Sequence, residues 1–247
     1  MSPSSPRPYQ DSFRKNATTS NVFRQPKDMV RHTTLEGQRK ERIKLWITLF
    51  RRNPHIFINQ YFGIKLHPYQ ILWIWVLQRS TLAYIVASRG SAKTWIIAIW
   101  ALTLCVLYPG NRVVVASKTL KQAGLIIEKI KQMQADYPNV AREISSTTMN
   151  QNGFECLFHC GSSIKCVPSS ENARGNRANY LIVEESRLVS KEILEQILKP
   201  FLFSRIPPYR LKEEYRNDND LREEGIISYI TSAWYTAEYW YTYVQSC

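Results

Sequence analysis

The chain has 247 residues, 44% of them hydrophobic and 12% aromatic, with a formal net charge of +13 at pH 7. That length can bury one good core plus a small appendage, and the aromatic content excludes a wholly disordered or fibrous chain. So large a positive excess points to a polyanionic partner, most simply nucleic acid, because Lys and Arg contacts to phosphate dominate such affinity.

Residues 1–52 hold twelve of the 33 Lys and Arg against four acids, and residues 1–35 are rich in Ser, Thr, Pro and Asn. They read as a basic, partly disordered arm running into a basic helix over 38–49, which Asn53-Pro54 stops. A solvated tail without a partner is the other reading of the arm. Residues 53–247 read as the globular domain. There a helix is predicted over 66–77 with Pro68 in its first turn, then a strand over 82–87 and a helix over 94–107. A β-branched strand over 112–116 and an amphipathic helix over 118–134 follow. Alternation over 154–167 predicts a hairpin turning at Gly161-Ser162-Ser163. A strand over 180–183, a helix over 190–202, a strand over 226–231 and a helix from Thr236 complete the pattern. Strands alternating with helices predict an α/β fold, a mainly parallel sheet with helices on both faces.

No apolar signal segment opens the chain, and the longest apolar run, Trp95 to Tyr108, is shorter than the ~20 residues a membrane span needs. Neither secretion nor a membrane is expected. The five cysteines are odd in number and include no C-x-x-C pair, which fits a reducing compartment. Cys156, His159, Cys160 and Cys166 match no standard zinc spacing.

The chemistry sits where the strand over 82–87 meets Ser88-Arg89-Gly90-Ser91-Ala92-Lys93-Thr94. An apolar strand, a Gly/Ser turn, Lys-Thr and an apolar helix form a phosphate-binding loop. Backbone N–H groups and the helix N-terminus cradle an anion, Lys93 reaches the outer phosphates and Thr94 holds Mg²⁺. The P-loop pattern places glycine where this chain has Ala87 and Ala92, and a left-handed backbone there costs alanine roughly 1–2 kcal/mol. Gly90 takes up part of the turn. By itself the segment also fits an ordinary strand-to-helix turn with a surface lysine.

Leu181-Ile182-Val183-Glu184-Glu185 supplies the second half: a buried strand delivering two acids at its C-terminal end, where open α/β sheets bind ligands. Glu184 would hold Mg²⁺ through water and Glu185 would polarise the water attacking the γ-phosphate. Gln70 is placed to read an adenine edge. The hydroxyls of Thr231-Ser232-Ala233, at the end of a later strand, are placed to sense the γ-phosphate. A polar helix residue and a strand-end turn are the plainer readings of those two.

These elements, in this order, resemble the large terminase subunit of tailed bacteriophages, the motor that packs DNA into a preformed capsid. The resemblance spans roughly residues 55–240. It rests on His67-Pro68-Tyr69-Gln70, the Arg-bearing phosphate loop, Arg112-Val113-Val114-Val115-Ala116-Ser117, Ala173-Arg174-Gly175, Val183-Glu184-Glu185 and Thr231-Ser232-Ala233. It implies an additional-strand P-loop ATPase that uses ATP and Mg²⁺, with Lys93 and Thr94 on phosphate and metal. Glu184 would assist the metal, Glu185 would activate water, and Arg89 or Arg174 would supply transition-state charge. Thr231-Ser232-Ala233 would couple hydrolysis to translocation. It further implies double-stranded DNA, a portal protein and a small terminase subunit as partners, and a homo-oligomeric ring. The place of work would be the host bacterial cytoplasm, transiently on the procapsid. Large terminases continue into an RNase H-like nuclease for which this chain has no room, so no nuclease activity is expected in it. A degenerate P-loop protein that binds DNA or capsid without turnover, and a superfamily 2-like helicase fragment, remain the alternatives.

Overall fold

A computed structural model describes residues 35–150, 153–202, 211, 225–232, 242 and 245. Most of the expected basic arm, Ala233 and the start of the helix expected at Thr236 lie outside the described residues. The chain divides into two units, residues 1–44 and 45–247. Helix α1 is Leu35–Arg52.

Within residues 45–247 the elements are α2 (Pro54–Gln60), α3 (Pro68–Arg79), β1 (Leu82–Ala87), α4 (Lys93–Leu107), β2 (Arg112–Ser117), α5 (Leu120–Asp136) and α6 (Pro138–Glu143). Then come β3 (Ile144–Asn150), β4 (Gly153–Phe158), β5 (Ser163–Pro168), β6 (Tyr180–Glu184), a helical stretch over 191–202 and β7 (Ile226–Ser232). The strands form one sheet in the order β1-β7-β6-β2-β5-β4-β3. The pairings from β1 through β5 are parallel, and β5-β4 and β4-β3 are antiparallel. The fold is therefore α/β with a mainly parallel sheet, as expected. β7 lies between the strand that enters the phosphate loop and the strand that carries the acids, the extra strand of the additional-strand type.

Each face carries a core, because successive side chains of each parallel strand point to opposite sides. Val113 and Val115 of β2 and Ile182 of β6 join the larger core with α2 to α5. Val114 and Ala116 of β2 and Leu181 and Val183 of β6 join a smaller core under the stretch 191–202. Helix α4 is apolar on every side and is buried almost throughout. It was the longest apolar run in the sequence. Among the described residues no helix is long and apolar enough to cross a membrane. Helix α5 is amphipathic. Ala123, Ile126, Ile127, Ile130 and Met133 face the core, and the Thr119 hydroxyl caps it by accepting from the Gln122 N–H at 3.2 Å.

Besides the short helices α2 and α6, which were not expected, two elements differ from expectation. The strand β3 carries no apolar alternation: only Ile144 is buried, and the rest is an edge strand of polar residues. No hydrophobic period could reveal it. The helix expected over 190–202 begins as α, continues as a π-helix over Leu194–Leu198 and ends as a 3₁₀ turn over Lys199–Leu202. Pro200, with no N–H to donate, sits in that last turn.

Gly124 faces β4. A Cβ on it would lie 2.7–2.9 Å from carbons of the Phe154 ring. Gly124→Ala gains about 1 kcal/mol of helix propensity but loses roughly 1–3 kcal/mol to overpacking. The expected net is a thermal midpoint lowered by about 2–4 °C. A midpoint at or above that of the parent would mean that Phe154 does not fill this contact.

Candidate nucleotide site

Three parallel strands end side by side. Ala87 of β1 pairs with Ser232 of β7, and Glu184 of β6 pairs with Ile230 of β7. The phosphate loop, the hydroxyls of Thr231 and Ser232 and the two acids therefore emerge at the C-terminal edge of the sheet, over one cleft. That cleft has a volume of about 780 Å³ and takes in Gln70, Arg89, Gly90, Ala92, Lys93, Thr94, Glu185 and Ser232. Ser88 and Ser91 brace the loop from within: the Ser91 hydroxyl donates to the Ser88 carbonyl at 2.7 Å.

The loop turns through two left-handed residues, Gly90 (φ +81°) and Ala92 (φ +56°). Ala87 lies within β1 and needs no glycine there. Of the two alanines at the pattern's glycine positions, only Ala92 bears strain. Helix α4 starts immediately after it with no side-chain cap, so its first N–H groups are open to an anion. The Lys93 ammonium folds back onto its own loop, donating to the Ser88 carbonyl at 2.8 Å and the Ala87 carbonyl at 3.5 Å.

Across the cleft, Thr94 Oγ1 donates to Glu184 Oε1 at 2.7 Å. Glu184 is buried and its Oε2 has no partner among the described residues. Burial raises its carboxyl above the ordinary value, against the lowering effect of the Thr94 hydrogen bond. A buried carboxylate with one vacant oxygen, beside a hydroxyl, suits a divalent cation such as Mg²⁺. Glu185 behaves oppositely. Partial burial pushes it up, but the Ser232 hydroxyl and N–H, then Arg187 and Lys93, outweigh that and hold it below the usual carboxylate range. Ser232 Oγ donates to Glu185 Oε1 at 2.6 Å, and the Ser232 N–H to Oε2 at 3.3 Å. The Thr231 hydroxyl and the Arg187 Nε–H reach Oε2 at 3.4 Å and 3.3 Å. Two neighbouring acids are thus pushed apart, one toward the neutral form and one firmly ionised. Among the described residues, the two non-glycine positions with positive φ are Ala92 and Glu185, both in this site.

Gln70 is buried as part of a cap on α3: its Oε1 accepts from the His67 N–H at 2.9 Å, and its Nε2 reaches the Tyr69 hydroxyl at 3.3 Å. It lines the cleft, with its oxygen already engaged. Arg174 stands apart. It is 60% exposed, bonds Glu171 at 2.6 Å and does not line the cleft. Lys65, Trp95 and Lys129 do line it. Sequence reasoning missed them: Lys65 lies in the connection before α3, Trp95 reads as part of the apolar helix α4, and Lys129, on the amphipathic helix α5, gives no sign of which cleft it borders. Arg187, two residues past Glu185, could have been suspected from proximity alone.

Solved structures share this architecture. The chain superposes on the large terminase ATPase domain of Thermus phage P74-26 with a TM-score of 0.50 and 15% identity, over 70% of this chain and 67% of that one. On the HK97 bacteriophage large terminase the TM-score is 0.59 at 14% identity, over 79% of this chain. The chain spans 40% of the HK97 protein's length. At such identities the likeness is one of fold, and the fold is that of large terminase ATPase domains. No protein-family profile and no curated protein sequence matches the chain.

Ala92→Gly relieves a left-handed alanine and should add up to about 1 kcal/mol of stability, read by denaturant unfolding. A loss would mean that the unfolded chain's gain in freedom outweighs the strain. Glu184→Gln keeps an acceptor for Thr94 and removes a buried charge. A raised carboxyl pKa means that the native state binds the proton more tightly than the unfolded chain. Wild-type stability therefore falls as pH climbs from about 4.5 through the raised value. The glutamine variant should lack that decline and melt higher at neutral pH, as thermal scans across pH would reveal.

Proposed function

We propose that this chain is the ATP-hydrolysing motor domain of a DNA-packaging machine of the large-terminase kind. The observation that carries the reading is the Thr94–Glu184 hydrogen bond of 2.7 Å, which ties the phosphate loop to the acidic strand across the intervening β7. A triphosphate would sit on the uncapped start of α4, held by loop N–H groups. Lys93 would leave the Ser88 carbonyl for the outer phosphates, and Arg89, exposed on the loop, would add a second cation. Thr94 and Glu184 would hold Mg²⁺, which when bound neutralises charge on the phosphate oxygens. Glu185, ionised, would orient and deprotonate the attacking water. Ser232 and Thr231 touch the same carboxylate, so a change at the γ-phosphate would pass to β7 and to Ala233 beyond it. Gln70 would meet the base through its amide N–H.

Duplex DNA is the substrate moved, and a homo-oligomeric ring, a portal protein and a small terminase subunit are the partners in this reading. The work would be done in the host cytoplasm, on the procapsid. Arg174 lies outside its own cleft, so any transition-state charge it supplies would reach the nucleotide of a neighbouring copy.

Mg²⁺-dependent ATP hydrolysis, with and without duplex DNA, tests the reading beside Lys93→Ala and Glu185→Gln. Lys93→Ala should lose both nucleotide binding and turnover. Glu185→Gln should keep binding while turnover falls about 10²–10⁴-fold. Binding that depends on Lys93 without any turnover would instead identify a degenerate P-loop protein. Strand separation by the chain would identify a helicase, and absence of nucleotide binding would refute the site.

A further inference from the structure

The second face of the sheet is covered only in part. The stretch 191–202 packs over β6, β7 and the inner part of β2, and among the described residues no helix covers the start of β2 or the adjoining face of β5 and β4. A groove of about 640 Å³ opens there, bordered by Arg112, Lys165, Arg177, Glu155 and Leu157. Strand register explains why these side chains meet. Arg112 lies opposite Ser163 and Val114 opposite Lys165, while Glu155 lies opposite Lys165 on the other side. Arg112, Lys165 and Glu155 therefore point to the same side of the sheet. Arg177 comes from the loop before β6, just after the left-handed Gly175 (φ +84°). The backbone N–H groups of residues 175–177 have no backbone acceptor among the described residues.

A solvated sheet face ordinarily sets cations against acids across its strands. Here three cations meet one acid. Arg112, Lys165 and Arg177 are exposed, and among the described residues none of their side chains makes an ion pair or a hydrogen bond. The groove sits where β2 and β5 begin, at the opposite end of the strands from the nucleotide cleft, so nucleotide chemistry does not account for it. Two unpaired guanidinium forks, an ammonium and free N–H groups in an open trough suit a row of phosphates better than one isolated carboxylate. The chain's net charge of +13 agrees with that ligand.

We propose that this groove binds the phosphodiester backbone of nucleic acid, with Arg112, Lys165 and Arg177 as the phosphate contacts. The inference rests on the DNA-handling half of the proposed function and is independent of the ATP half. Such contacts position a duplex without reading its sequence.

The test is anisotropy titration of the full chain with a fluorescent DNA duplex over a range of salt concentrations, comparing the parent with Arg112→Gln, Lys165→Gln, Arg177→Gln and the triple variant. Each lost phosphate contact lowers the slope of log affinity against log salt by about 0.9. The triple variant should therefore lose nearly three times that, equally for duplexes of different sequence. Thermal melting checks that the variants stay folded; the three side chains are exposed, so little change is expected. An unchanged slope in the folded triple variant overturns the proposal. So does parent binding of poly-glutamate as tight as binding of DNA, lost in parallel in the variant, which would make the groove a site for acidic protein. A change of oligomeric state with DNA binding intact would make it a subunit contact and likewise overturn it. If ATP binding fails but the slope falls as expected, the motor reading is wrong and the groove stands. If ATP is hydrolysed and the slope holds, the reverse is true.

Discussion

A carboxylate buried with one bonded oxygen and one vacant oxygen is unstable company for a protein core, and Glu184 is such a group. Its position follows from strand register: β7 lies between β1 and β6, and Ile85 and Glu184 both lie opposite Ile230, which sets the carboxylate within reach of Thr94 beyond the end of β1. The rest of the cleft is arranged around that constraint. Helix α4 is buried on all sides so that its first turn, Lys93-Thr94, stays fixed at the strand ends. The Arg51 Nε–H holds the other end of α4 by donating to the Leu107 carbonyl at 3.0 Å.

The cleft also concentrates conformational cost. Left-handed backbone at Ala92 and Glu185, each a residue with a Cβ, costs on the order of 1–3 kcal/mol per position. At Glu185 the surrounding donors fix the side chain once the turn is made, since Ser232, Thr231 and Arg187 all reach its oxygens. At Ala92 no side-chain cap repays the turn, which leaves the donors at the head of α4 to an outside anion. Lys93 occupies the loop carbonyls meanwhile.

Much of this was legible in the chain itself. Apolar runs that end in chemistry, Leu82–Ala87 before the loop and Leu181–Val183 before the acids, announce parallel strands and what they deliver. The phosphate loop, both acids and the hydroxyls at 231–232 do converge, because each is attached to a strand end and strand ends are shared. What was not legible depends on faces rather than on sequence neighbours. β3 has no apolar period, since only its first residue is buried. Lys129 lies on a helix whose polar side offers several equivalent lysines, and only packing selects the one at the cleft. Arg174 reads as a site residue by its motif yet lies outside the cleft, because a motif fixes neighbours along the chain and not direction in space.

The place of β7 in the sheet bears on how the protein is made. β1 and β6 share no backbone ladder; each pairs with β7, whose residues lie more than forty positions beyond Glu184 in sequence. During synthesis the chain therefore carries the loop and the acids for some time as two strands with a missing centre. Insertion of a middle strand between distant partners is a non-local step, slow relative to local helix formation, and it leaves two strand edges exposed while it waits. A ribosome that stalls before residue 226 would release most of the residues of the nucleotide cleft and none of its geometry.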